Sequence, residues 1–237
     1  MLTFFLDDVG ALAGERRVLS VGAGKESVMF WLAPRVGRLV GVDTYGRGRF
    51  AASEAPKEIL AAPARFSPYG DDPLPTLELR DMDALALDFP DGSFDAVYSL
   101  SSIEHFGSPA AIARAAAEVG RVLRPGGHAY IATELVVEPG STLRRSAKAL
   151  GARLTRHRRF ARELFTRAEM NALLIEPSGL EPLQPLDTAI SPESFDNLAT
   201  KRLRRLVYRQ GRFHPHIVLR VGGETFTSVG LPLRKPV

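Results

Sequence analysis

The chain has 237 residues, 45% hydrophobic and 24% charged, a composition that supports a core of its own. Its lack of cysteine excludes disulfides, thiolate metal sites and a cysteine nucleophile. No apolar run reaches membrane-spanning length, and Met1–Leu6 carries no basic leader before Asp7-Asp8, so a cytoplasmic location is expected. The formal charge of +4 conceals an asymmetry: residues 1–140 hold 13 Lys/Arg against 19 Asp/Glu, residues 141–237 hold 18 against 8.

In chain order, Val18–Val21 reads as a first strand, Leu39–Val42 as a second and Leu77–Leu79 as a third. The stretch 46–76, rich in Gly, Ala and Pro, reads as an irregular connection with room for one short helix. Ala96–Ser99 is the fourth strand and Ala129–Thr133 the fifth. Between them Pro109–Val122 has helical apolar spacing and ends before Pro125-Gly126-Gly127, which turns the chain. Such alternation describes a parallel sheet with crossover helices.

After Glu134 the alternation breaks. Residues 141–165 read as a basic helical insertion holding Arg144, Arg145, Arg153, Arg156, Arg158, Arg159 and Arg162. Thr166–Glu176 reads as a helix capped by Thr166, with Glu169 in the reciprocal position, and Gly179 lies just past its end. Leu180–Leu186 is expected as a sixth strand despite its prolines. A second insertion, 188–215, carries Lys201, Arg202, Arg204, Arg205 and Arg209. Ile217–Val221 and Phe226–Leu233 then flank Gly222-Gly223-Glu224 as a closing hairpin. The basic clusters fit either a field for an anionic ligand or a solvated helical face.

Three segments carry the chemistry. Val18-Leu19-Ser20-Val21-Gly22-Ala23-Gly24 places two glycines where a strand turns into a helix, permitting close backbone approach to a ligand. Asp43, some twenty residues on, stands at the end of the second strand, where a carboxylate can accept both hydrogen bonds of a ribose diol. Phe89-Pro90-Asp91-Gly92-Ser93-Phe94-Asp95-Ala96-Val97 is an acidic turn feeding a strand. That strand leads through Ser99-Leu100 to Glu104-His105, and Glu118–Gly127 closes the series.

In this order and spacing, residues 15–135 resemble the class I S-adenosylmethionine-dependent methyltransferases, type 11 in particular. The resemblance implies a Rossmann-like, doubly wound, mostly parallel seven-stranded sheet with a C-terminal antiparallel hairpin and helical lid insertions. It implies one methyltransferase domain over 1–237, with the cofactor-binding core at 1–140 and lid or acceptor insertions at 141–165 and 188–215. The cofactor, S-adenosylmethionine, is expected against Val21, Gly22, Ala23, Gly24, Asp43, Thr44, Asp83, Ala84, Leu85, Ser99 and Leu100. Asp83 would receive the adenine amino group, with Asp81 as a rival in register. His105 is the candidate base, Glu104 and Glu134 the alternatives, and no ligand spacing supports a metal.

The implied activity is methyl transfer to a hydroxyl, or secondarily an amine, of a small molecule or saccharide, anionic if the basic insertions face it. Nucleic acid is not the expected partner, since aromatic residues are not interleaved with the arginines. The missing cysteine also disfavours attack on pyrimidine carbon. Ser20 departs from the family pattern, which usually has Asp or Glu there to fix the cofactor's ammonium, and Glu26 stands where a third glycine is common. Glu26 is the alternative carboxylate for that ammonium. A non-catalytic adenosine-binding scaffold and an NAD-dependent oxidoreductase are the competing readings. His214-Pro215-His216 reads as a loop feature or an acceptor-pocket wall, and Trp31, Phe4 and Phe5 as core or cap. Oligomeric state is left open.

Overall fold

The computed structural model describes residues 1–48, 50–70, 72–138, 163–186, 190, 194–195, 199–202, 205–207, 217–221 and 224–237. The basic stretch 144–162, the Gly222-Gly223 turn and both histidines, His214 and His216, lie outside them.

Five strands form the parallel part of the sheet: β1 (Arg17–Val21), β2 (Arg38–Asp43), β3 (Leu77–Asp81), β4 (Phe94–Leu100) and β5 (Leu123–Glu138). They lie in the order β3-β2-β1-β4-β5. In β1, Val18 through Val21 are all buried, as a strand paired on both sides and covered on both faces requires. Antiparallel β10 (Glu224–Arg234) follows β5 and pairs with β9 (Val218–Val221). These seven strands make the Rossmann-like sheet that the sequence implies.

Three short strands extend it. β6 (Glu181–Pro182) pairs with β10, β7 (Ala199–Arg202) continues from β9, and β8 (Arg205–Val207) pairs with β7. The described part of the second insertion therefore includes strands where helix was expected, because the open edge of β9 offers ladder partners. The expected strand 180–186 shrinks to two residues: Pro182 and Pro185 have no N–H to donate.

Helices cover both faces. On one, α1 (Leu2–Asp8) and α2 (Ser27–Leu32) bury Leu2, Leu6, Met29, Phe30 and Leu32 against Val18, Leu39 and Tyr98. Phe5 packs on Tyr130 with ring centroids 5.2 Å apart, but Phe4 stays 74% exposed, contrary to the expected cap. Trp31 is part-buried, with the Arg35 guanidinium over its ring. On the other face lies α3 (Pro109–Val122), which starts with proline at its first position while Ser108 Oγ accepts the Ala111 N–H. Its Gly120 abuts the segment Arg167–Met170, Asn171–Ile175, Glu176–Ser178, so that a Cβ there would lie 1.8 Å from the Ser178 carbonyl oxygen. That segment opens with the expected capping box of Thr166 and Glu169, and Gly179 ends it in the left-handed region.

The Glu118–Gly127 motif is a brace. Arg121 donates to the carbonyls of Leu87 and Phe89 and to the carboxylates of Glu118 and Asp91, while Glu118 accepts the Leu87 N–H. Pro125-Gly126-Gly127 forms an irregularity inside β5, where pairing with β4 jumps from Phe94–Leu123 to Ala96–His128. Lys235 locks this corner, its Nζ donating to the carbonyls of Gly120, Leu123 and Arg121 at the end of α3. No helix among the described residues is long and apolar enough to cross a membrane.

Candidate active site

Chain order reverses between β1 and β4: β2 and β3 extend the sheet one way from β1, β4 and β5 the other. A crevice opens outside the carboxyl ends of strands at such a point. Here it holds a cavity of about 1060 Å³.

The glycine turn forms its floor. Gly22 and Gly24 have φ of +72° and +48°, and the N–H groups of Gly22 and Ala23 both donate to the Val42 carbonyl at 2.9 and 3.0 Å. Side chains are excluded by space as well as by conformation: a Cβ would lie 2.5 Å from Ser102 Cβ at Gly22 and 2.7 Å from the Glu54 carbonyl oxygen at Gly24. The turn thus exposes backbone to the cavity.

Asp43, at the end of β2, ties this floor to the next loop. Its Oδ2 accepts the Gly24 N–H at 2.9 Å and its Oδ1 the Thr44 N–H at 2.7 Å. Each oxygen retains a lone pair for a further donor such as a ribose hydroxyl. Burial pushes the Asp43 carboxyl up, the two N–H donors pull it back, and the nearby Asp81 charge raises it again. Tyr45, almost wholly buried, donates its hydroxyl to the Gly24 carbonyl at 3.1 Å.

Glu26 lines the cavity next to Gly24 and Asp43, yet its Oε2 is buried and accepts no hydrogen bond. Burial first, and then the Asp43 charge, raise its carboxyl well above the ordinary range. Ser20 Oγ and the Tyr98 hydroxyl, on residues paired across β1 and β4, are also buried without a hydrogen bond of regular geometry.

The far wall comes from the segment after β4. Ser101 has φ of +47°, and this left-handed residue turns the chain so that the Ser102 hydroxyl donates to the Gly22 carbonyl at 2.8 Å. His105 follows in a short 3₁₀ turn, Ile103–His105. Its Nδ1 lies 3.6 Å from Glu163 Oε1, and its ring packs against Phe50 with centroids 4.8 Å apart. Behind it Glu104, 1% exposed, accepts the Thr133 hydroxyl at 2.9 Å. Burial, and more weakly the charges of Glu134 and Glu163, raise the Glu104 carboxyl to about 7.

Among the expected site residues, Gly22, Ala23, Gly24, Asp43, Thr44, Leu100 and His105 line this one cavity. Val21 and Ser99 are buried in the strands that support it. Asp83, Ala84 and Leu85 do not line it; they follow β3, where Asp83 is exposed and its Oδ1 accepts the Leu85 N–H at 2.9 Å. The sequence reading did not single out Ser102, Phe50 or Glu163. Ser102 had a signal, a polar residue directly after an apolar strand; the other two come from segments without periodicity.

The residues present fit S-adenosylmethionine. The glycine turn lines the cavity with backbone, Asp43 keeps acceptor capacity for a diol, and Glu26 Oε2 has no donor. No three His, Asp or Glu side chains converge as metal ligands among the described residues.

Residues 19–131 match the model of a family described as a methyltransferase domain. The YcgJ protein of Bacillus subtilis is 18% identical, with 100% of both chains covered and a TM-score of 0.59. A SAM-dependent methyltransferase from Methanosarcina mazei is 18% identical over 96% of both chains, with a TM-score of 0.59. Geranyl diphosphate C-methyltransferase from Streptomyces coelicolor, solved with Mg²⁺, geranyl diphosphate and S-adenosyl-L-homocysteine, is 15% identical. That match covers 99% of this chain and 76% of that one, with a TM-score of 0.57. At these identities the structural likeness establishes the fold.

Proposed function

We propose that this chain, an S-adenosylmethionine-dependent methyltransferase through its domain at residues 19–131, methylates a hydroxyl oxygen of a small molecule or saccharide, with an amine as second choice. The observation that carries the reading is the His105–Glu163 pair on the wall of the cavity that the glycine turn floors.

The cofactor supplies a methyl carbon activated by its positive sulfur. The protein's part is alignment, exclusion of water and management of one proton. A hydroxyl must lose its proton as the new bond forms, and an imidazole is suited to take it near neutral pH. Glu163, facing Nδ1, orients the ring and stabilises its positive charge once the proton has moved, which leaves Nε2 for the acceptor. Phe50 supports the ring from its face. The Lys/Arg excess of residues 141–237 supports an acceptor with negative charge, for which a phosphorylated or lipid-linked saccharide is suitable.

The test is release of S-adenosylhomocysteine over a panel of hydroxyl and amine acceptors, for wild type and His105→Gln. A general base accounts for roughly 10²- to 10⁴-fold in rate. The variant should lose that much in kcat and keep its cofactor affinity. Turnover of a hydroxyl acceptor at the wild-type rate by His105→Gln would remove the histidine from the mechanism.

A further inference from the structure

One residue lining the cavity carries an acidic oxygen that the fold supplies with no donor. Glu26 Oε2 is buried and unpartnered beside the glycine turn. Asp43, also beside that turn, is different: each of its oxygens already accepts a backbone N–H. An isolated buried carboxylate is unfavourable unless something pairs with it. Its immediate surroundings make the need sharper. The Glu26 charge is felt at the buried hydroxyls of Tyr45 and Tyr98, whose ionisation it opposes.

S-adenosylmethionine carries one ammonium group, on its amino-acid portion. We propose that Glu26 is the residue that receives this ammonium, so that the anchoring carboxylate comes from the start of α2 and not from position 20 at the end of β1. Position 20 offers only a hydroxyl. Glu26, six residues further along the chain, lines the cavity with a carboxyl group. The ammonium then provides both the counter-charge and the missing donors, and a carboxylate that is a burden without a partner becomes an asset of the complex. Binding of the amino-acid portion also fixes the sulfur, and with it the direction in which the methyl group points.

This inference rests on the cofactor assignment, and the experiment separates the two. S-adenosylhomocysteine, which has the amino-acid portion, and 5′-methylthioadenosine, which lacks it, are titrated calorimetrically into wild type and Glu26→Gln. A hydrogen bond to a charged group is worth roughly ten- to hundredfold in affinity. Glu26→Gln should weaken S-adenosylhomocysteine by that factor and leave methylthioadenosine within about twofold of wild type. Its unfolding temperature, measured alongside, should not fall, since a buried carboxyl with an unpaired oxygen is replaced by an amide of the same size. Unchanged S-adenosylhomocysteine affinity, or an equal loss for both ligands, overturns the anchor while leaving the cofactor in place. A wild type that binds neither ligand overturns the cofactor assignment and the anchor together.

Discussion

The Ser102 hydroxyl donates to the Gly22 carbonyl at 2.8 Å and fastens the loop after β4 to the turn after β1 across eighty residues of chain. The floor of the cavity and the wall that carries His105 are therefore one unit. Anything that separates these two residues shifts His105 relative to the glycine turn.

Gly22→Ala should have the larger effect on this joint. Its Cβ would meet Ser102 Cβ at 2.5 Å on a backbone that also disfavours any side chain. We expect cofactor affinity to fall at least tenfold. Ser102→Ala, which removes one hydrogen bond of about 1 kcal/mol, should reduce affinity less than tenfold. Calorimetric titration with S-adenosylhomocysteine measures both, and equal affinities for the three proteins would show that the joint does not shape the site.

Glu104 makes stability depend on pH in a direction opposite to most carboxylates. Its carboxyl is raised from 4.5 to about 7 in the fold, so the folded state holds this proton more tightly than the unfolded chain. Stability from this group is fully present below about pH 4.5 and is lost as pH rises towards 7, by about 3 kcal/mol. Glu104→Gln cannot ionise and still offers an oxygen to Thr133. Denaturant unfolding at pH 5 and pH 8 should show wild type losing more stability than the variant over that interval. Identical losses would mean that Glu104 ionises normally.

Lys235→Met should destabilise the fold without touching the site. The ammonium serves three carbonyls at the end of α3, two of them at 2.7 Å, where a positive charge also complements the helix dipole. We expect a loss of roughly 2 kcal/mol in unfolding free energy and unchanged affinity for S-adenosylhomocysteine. A variant as stable as wild type would reduce the clamp to a surface contact.

The parts of this molecule legible in its sequence are those specified by neighbours along the chain. Pro109–Val122 has its predicted bounds because Ser108 caps it, proline occupies its first position and Pro125-Gly126 lies beyond its end. The Thr166–Glu169 box is equally local. Gly22, Gly24, Asp43 and His105 could be placed because each sits at a strand end or a strand-to-helix turn. Phe50 and Glu163 could not, since only the tertiary fold brings them to His105. Asp83 is local in another way: its Oδ1 accepts the N–H of Leu85, two residues on.

The position of β10 sets a schedule for assembly. It follows the other described strands in sequence, yet it lies inside the sheet, hydrogen-bonded to β5 on one side and to β9 and β6 on the other. During synthesis, residues 1–138 can form the parallel half while the long edge of β5 still waits for a partner nearly a hundred residues away. Until Glu224–Arg234 leaves the ribosome, that edge is open to any other extended segment, including the same strand of a neighbouring nascent chain. Yield of folded protein should therefore depend on translation speed and chaperone supply through this interval, even for variants whose finished structure is as stable as wild type.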